Sequence, residues 1–185
     1  MRDILAIDLA TTTGWCRGRV GDATPSFGTA RFLGRKELHD GNAAFAAALK
    51  WITEAIANNP PDMVIMESLL PPAAMINQTS RAVRDRLAGL HGVIRAAARR
   101  RGIGEISDVG VGDVRQHFIG TRSLKRDEAK KAVIDQCLLL DWRINNDNEA
   151  DACAIWSFAV SLIDPKQALR VSPLFNRKLR AVSWP

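Results

Sequence analysis

Two short apolar runs, each ending in a carboxylate, constrain this chain more than any other feature. Ile4-Leu5-Ala6-Ile7 leads into Asp8, and Met63-Val64-Ile65-Met66 leads into Glu67. A continuous apolar run of this length suits a strand covered on both faces, as in the centre of a layered α/β sheet. The closing acid then lies at the carboxyl edge of its strand, where such sheets gather ligands. A third acid, Asp151, sits near the start of an apolar helix-like stretch, residues 148–156. Crowded acids repel one another and resist burial. Three of them at the ends of buried elements are hard to explain by stability, and a divalent metal would resolve the conflict. A metal pair suits phosphodiester hydrolysis.

The other elements fall into place around these runs. Residues 14–20 and 26–33 read as strands, separated by the turn signal Gly21-Asp22 and close enough to residues 4–8 for an antiparallel meander. Residues 38–58 are Ala-rich, with Phe45, Leu49, Ile52 and Ile56 at helical spacing, and stop at Asn58-Asn59-Pro60-Pro61. Residues 62–67 form the second buried strand. Pro71-Pro72 begins a loop, and residues 77–101 read as a long helix with Val83, Leu87, Leu90 and Ile94 on one face. A short strand over 105–111, a helical turn over 113–119 and a basic loop over 120–125 follow. Helices over 126–140 and 148–163 complete the pattern, the last ended by Pro165. This order predicts an α/β fold: a five-stranded mixed sheet, three antiparallel strands then two parallel, flanked by helices on both faces. The expected organisation is one domain over residues 1–165 and a basic tail over 166–185 carrying Arg170, Arg177, Lys178 and Arg180.

A length of 185 residues favours a single domain with a sizeable core. The formal net charge of +6 suits a polyanionic partner, nucleic acid or an anionic membrane surface, and equally a basic protein with neither. No segment approaches the roughly 18 consecutive apolar residues of a membrane helix. Met1-Arg2-Asp3 leads into a run interrupted by Asp8, unlike a signal peptide, so the expected location is the cytoplasm. Cys16, Cys137 and Cys153 lie far apart with no Cys-x-x-Cys spacing, and read as buried free thiols.

Asp8, Glu67 and Asp151 are the hard oxygen donors that Mg²⁺ prefers, with Mn²⁺ as its expected substitute. Two ions about 4 Å apart would serve the attacking water and the leaving oxygen. Asn148 lies three residues before Asp151 on the same helix face, and its carbonyl is also an oxygen donor. Asp147, four before, reaches the same side, whereas Glu149, two before, points largely away. Arg122, Lys125, Arg126, Lys130 and Lys131 cluster before and within one helix, either as phosphate contacts or as a solvated helix face. His39, His91 and His117 have no metal-ligand spacing; His117 is kept as a residue near the site. Most of the five tryptophans read as core.

Residues 7–15, Ile-Asp-Leu-Ala-Thr-Thr-Thr-Gly-Trp, then Val64-Ile65-Met66-Glu67, then residues 148–155 resemble the RuvC Holliday-junction resolvases of the RNase H-like superfamily. Ala88-Gly89-Leu90-His91-Gly92 resembles the helix after the family's second acid, and Val111-Gly112-Asp113-Val114-Arg115 through Gly120, with residues 126–133, resembles its late DNA-binding segment. The resemblance spans residues 4 to about 163; the order and spacing of its motifs carry it. It implies a homodimer that binds a four-way DNA junction and nicks two strands symmetrically with Mg²⁺, with Asp8, Glu67 and Asp151 as metal ligands. It implies that Lys130 lies near the scissile phosphate and that Leu69 and Leu70 wedge into the junction, although a loop plug over the core would equally explain the two leucines. The family usually carries Asp or His three residues before its last acid, where this chain has Asn148. Either Asn148 or Asp147 then completes the site, or the chain binds junctions without cutting them.

Residues 8–14 are also similar to the first phosphate loop of actin-like and sugar-kinase ATPases. Such proteins usually need two such domains and a second Gly-rich loop, for which 185 residues are too few.

Overall fold

The computed structural model describes residues 1–34, 40–69 and 80–171. Five strands form one sheet in the order β3-β2-β1-β4-β5: β1 (Asp3–Asp8), β2 (Thr12–Arg19), β3 (Ser26–Arg31), β4 (Met63–Glu67) and β5 (Glu105–Val109). The β1–β2 and β2–β3 pairs are antiparallel; β1–β4 and β4–β5 are parallel. The expected mixed sheet is therefore the observed one.

The two apolar runs are continuous because each strand feeds two cores. Side chains alternate across a sheet. Ile4, Ala6, Met63 and Ile65 enter one core; Leu5, Ile7, Val64 and Met66 enter the other. Helices α1 (Gly41–Ala55) and α2 (Arg81–Arg100) cover the second core. Asp40 caps α1 by accepting from the Ala43 amide at 3.0 Å, and Ser80 caps α2. Phe45 of α1 lies over Gly89 of α2, where an added Cβ would fall 2.2 Å from the ring, so glycine there sets the helix spacing.

The first core is covered by α3 (Val111–Ile119), α4 (Arg126–Leu139) and α5 (Asp147–Ile163). Helix α5 lies across β1 and β2. Trp156 of α5 donates its indole N–H to the Gly18 carbonyl at 3.1 Å and packs edge-on against Trp142, which itself donates to the Ala23 carbonyl. The three cysteines, distant in sequence, meet in this core. Cys153 of α5 hydrogen-bonds to both Cys16 of β2 and Cys137 of α4, and burial holds the Cys16 thiol protonated.

Element ends differ locally from expectation. Helix α1 starts at Gly41 behind the Asp40 cap, and the expected start near Leu38 lies outside the described residues, as does His39. Strand β5 stops at Val109 because Gly110 turns the chain into α3, which is longer than the expected helical turn. Beyond Asp164 the chain forms α6 (Pro165–Val171), packed on α5; proline suits the first turn of a helix, so Pro165 ends one helix and opens another. Arg177, Lys178 and Arg180 lie outside the described residues. Among the described residues no helix is long and apolar enough to cross a membrane.

Candidate active site

The sheet alternation decides where the acids go. Asp8 stands two residues beyond Ala6, and Glu67 two beyond Ile65, so both side chains emerge on the face covered by α5. The β1–β4 register pairs Ile7 with Met66, which sets Asp8 and Glu67 side by side at the carboxyl edge. Across the other ladder, Asp8 is paired with Gly14. A Cβ on Gly14 would fall 1.8 Å from the Asn148 carbonyl oxygen, so glycine lets the first turn of α5 rest on the sheet backbone. That contact places Asp151, one turn further on, over the two strand-end acids.

Electrostatics confirm the convergence. Burial, then the charges of Asp151 and Glu67, push the Asp8 carboxyl up to about 8. Burial and Asp151 push Glu67 up to about 7. Burial raises Asp151 to about 6, against the pull of Lys130, Arg115 and Arg126. Three carboxyls held this far above their ordinary range form a cluster that favours a proton or a cation.

The neighbouring groups sort cleanly. Lys130 of α4 is ion-paired with Asp147, and its charge also acts on Asp8 and Asp151. Asp147 is held below its ordinary range, first by Lys130. Asn148 is partly buried beside Gly14. Glu149 does point away, into a buried pocket where it accepts from the Asn145 amide at 2.7 Å and side chain at 3.2 Å. It therefore clasps the loop before α5. Arg126 is exposed but its charge acts on Asp151; Arg122 is exposed and paired with Asp113 at 2.7 Å, and Lys125 and Lys131 are exposed. Leu69 is 39% exposed just past Glu67, after the Ser68 amide has bonded the Val109 carbonyl. Leu70 lies outside the described residues.

Arg115 was read only as part of a segment resembling the family's DNA-binding one and not as a site residue, yet its charge lowers both Glu67 and Asp151. The available signal was position: α3 begins two residues after β5 ends, at the same sheet edge as the acids. His117 is not part of the cluster. Its ring bonds the Ser157 hydroxyl at 2.9 Å between α3 and α5, and burial drives it down to about 4. His91 is buried on α2, beside Asp108 of β5.

The donor set fits a hard divalent cation in its chemistry, being carboxylate oxygens with an amide carbonyl nearby. Among the described residues, however, no three His, Cys, Asp or Glu side chains are grouped so as to hold a metal ion.

No protein-family model and no curated protein matches this chain. Solved structures do. RuvC of Thermus thermophilus in complex with a Holliday junction substrate superposes with a TM-score of 0.68 at 15% identity, over 88% of this chain and 96% of that one. The fold is that of the RuvC resolvases. A second Thermus thermophilus RuvC structure gives 0.64 at 16% identity, over 87% and 95% of the two chains. The yeast mitochondrial Holliday junction resolvase Ydc2 gives 0.60 at 14% identity, over 95% and 83%.

Proposed function

We propose that this chain is a metal-dependent endonuclease that hydrolyses phosphodiester bonds in branched DNA, resolving four-way junctions by paired, symmetric nicks as a homodimer. The observation that carries the reading is the meeting of Asp8, Glu67 and Asp151 on one face of the sheet, with all three carboxyls raised by burial and those of Asp8 and Glu67 further raised by the charge of Asp151. Asp8, Glu67 and Asp151 would hold Mg²⁺ or Mn²⁺, two ions per site, with Asn148 as a further oxygen donor. The metal would supply an activated water and neutralise the leaving oxygen. The chain's own cations surround the acids. Arg115, Arg126 and Lys130 would contact the phosphate, while exposed Lys125 and Lys131 extend a basic approach for the DNA backbone. Leu69 stands where a wedge between junction arms would start. The net charge of +6 and the RuvC fold support a DNA partner.

A second reading, a junction-binding protein without nuclease activity, is favoured by Asn148 and by the finding that, among the described residues, no three His, Cys, Asp or Glu side chains are grouped to hold a metal ion. The phosphate-loop reading loses ground, because Thr13 spends its hydroxyl inside the turn, donating to the Ala10 carbonyl at 2.7 Å and accepting from the Ala10 amide.

The test is incubation of the protein with a labelled four-way junction and a matched linear duplex, in Mg²⁺ and in Mn²⁺, beside Asp8→Asn. Paired nicks in the junction alone are expected. Loss of several kcal/mol of transition-state stabilisation in the mutant corresponds to roughly a thousandfold slower cutting. Tight junction binding without nicks would select the second reading. Neither binding nor nicks would end both.

A further inference from the structure

Lys130 is paired with one carboxylate and its charge acts on two more. Its ammonium is bonded to Asp147, and its charge is felt by Asp8 and Asp151. The two groups of the pair come from different helices: Lys130 from the second turn of α4, Asp147 from the first residue of α5. Both are about one-third exposed, so the pair lies at the rim of the cluster rather than within it. The Asp147 carboxylate is also held by its own amide and that of Asn148. Asn148 is in turn seated on Gly14. The anchor is thus tied to the backbone, whereas the lysine is a compact charge on a flexible four-carbon stem.

We propose that Asp147 is a positioning residue for Lys130: it holds the ammonium at the rim and keeps it from settling between Asp8 and Asp151, where a divalent cation would bind. This rests on the metal-dependent reading above. An ammonium set between two acids offsets their repulsion, as the metal would, and so competes with it. Asp147 gives the lysine a third, better-tethered carboxylate. The lysine stays close enough to meet a phosphate and far enough out to leave the acids open. Asp147 then serves the site through Lys130 and not as a ligand, which separates its role from that of Asn148.

A double-mutant cycle read by calorimetric titration of Mn²⁺ into the full chain tests this without any cleavage assay. Asp147→Ala is expected to weaken Mn²⁺ binding about fivefold, the scale of a partly exposed ion pair. In a Lys130→Ala background the same substitution is expected to change it less than about twofold. Asp147→Glu is expected to restore most of the affinity, and matched thermal midpoints establish that each variant folds. Equal losses in both backgrounds would overturn the proposal, since Asp147 would then act by its own charge or as a ligand. No loss in the single variant would overturn it as well. Absence of Mn²⁺ binding to the unmutated chain would remove the metal reading itself, together with this inference, and is distinguishable from both.

Discussion

Strand β1 carries an acid at each end, and the two ends are treated in opposite ways. At its start, Asp3 meets Arg17 on the neighbouring strand; the guanidinium bonds the carboxylate at 2.7 Å and also donates to the Ala55 and Asn59 carbonyls. At its end, Asp8 faces Gly14 across the same ladder and gains Glu67 and Asp151 as neighbours. Both acids are largely withdrawn from water, but only the first is neutralised by a cation on the adjoining strand. An acid matched with a guanidinium and helix-end carbonyls ties elements together. An acid matched with a glycine and more acids costs stability and leaves a place for a ligand. The contrast puts the candidate site at one edge of the sheet and cohesion at the other.

The contrast breaks if the two ends respond alike to mutation. Arg17→Ala leaves Asp3 without its guanidinium and two carbonyls without a donor. A loss of about 3 kcal/mol in urea unfolding is expected, with the cutting chemistry unchanged per folded molecule. Asp8→Asn is expected to move stability the other way in metal-free solution at pH 8, because it removes a crowded charge. A lower thermal midpoint for that variant would contradict the account of the acidic edge.

Gly14→Ala sharpens the same comparison with a smaller effect. Its methyl would collide with the Asn148 carbonyl, so the first turn of α5 must lift. Overpacking of this kind costs about 1–3 kcal/mol. Because the shift moves Asp151, Mn²⁺ affinity by calorimetry should fall along with stability. Gly21→Ala is the control: nothing lies near its added carbon, although its φ of +100° makes any side chain strained. It should cost stability without touching Mn²⁺ binding.

The smallest effect is that of pH. A carboxyl raised on folding takes up a proton as the chain folds, so stability falls as pH climbs from the unfolded value through the folded one. Asp8 at about 8 and Glu67 at about 7 place part of that fall at neutral pH. His117, driven down to about 4 from 6.5, acts in the opposite sense at lower pH, so the clear window runs from 6.5 to 8. Metal-free thermal midpoints should decline across it, and the rise produced by Mg²⁺ should grow. A flat profile would show that folding does not raise these carboxyls.

Much of this was readable from the chain itself. Asp8 and Glu67 announced themselves because a doubly covered strand is continuous in apolar residues, so its first charge marks its end. Asp151 was readable from its place at the start of an apolar helical stretch. Arg115 was not, since a lone arginine on an amphipathic helix has no direction until the helix is docked on the sheet. Gly14 was legible as part of a turn, but its contact with Asn148 depends on a residue more than a hundred positions away. The α6 helix was missed because Pro165 stops one helix and starts the next with the same ring. The pairing of Lys130 with Asp147 was hidden for a similar reason, since two helices must meet before either side chain has a partner.

The meeting of all three cysteines behind the acidic edge gives the molecule a built-in stopwatch. Cys16, Cys137 and Cys153 are fully buried and belong to three different elements of one core. A thiol reagent added to the native chain can modify them only when α5 or α4 parts from the sheet. The rate of labelling therefore measures how often the half of the protein that carries Asp151 opens, separately from the α1–α2 half, which contains no cysteine at all.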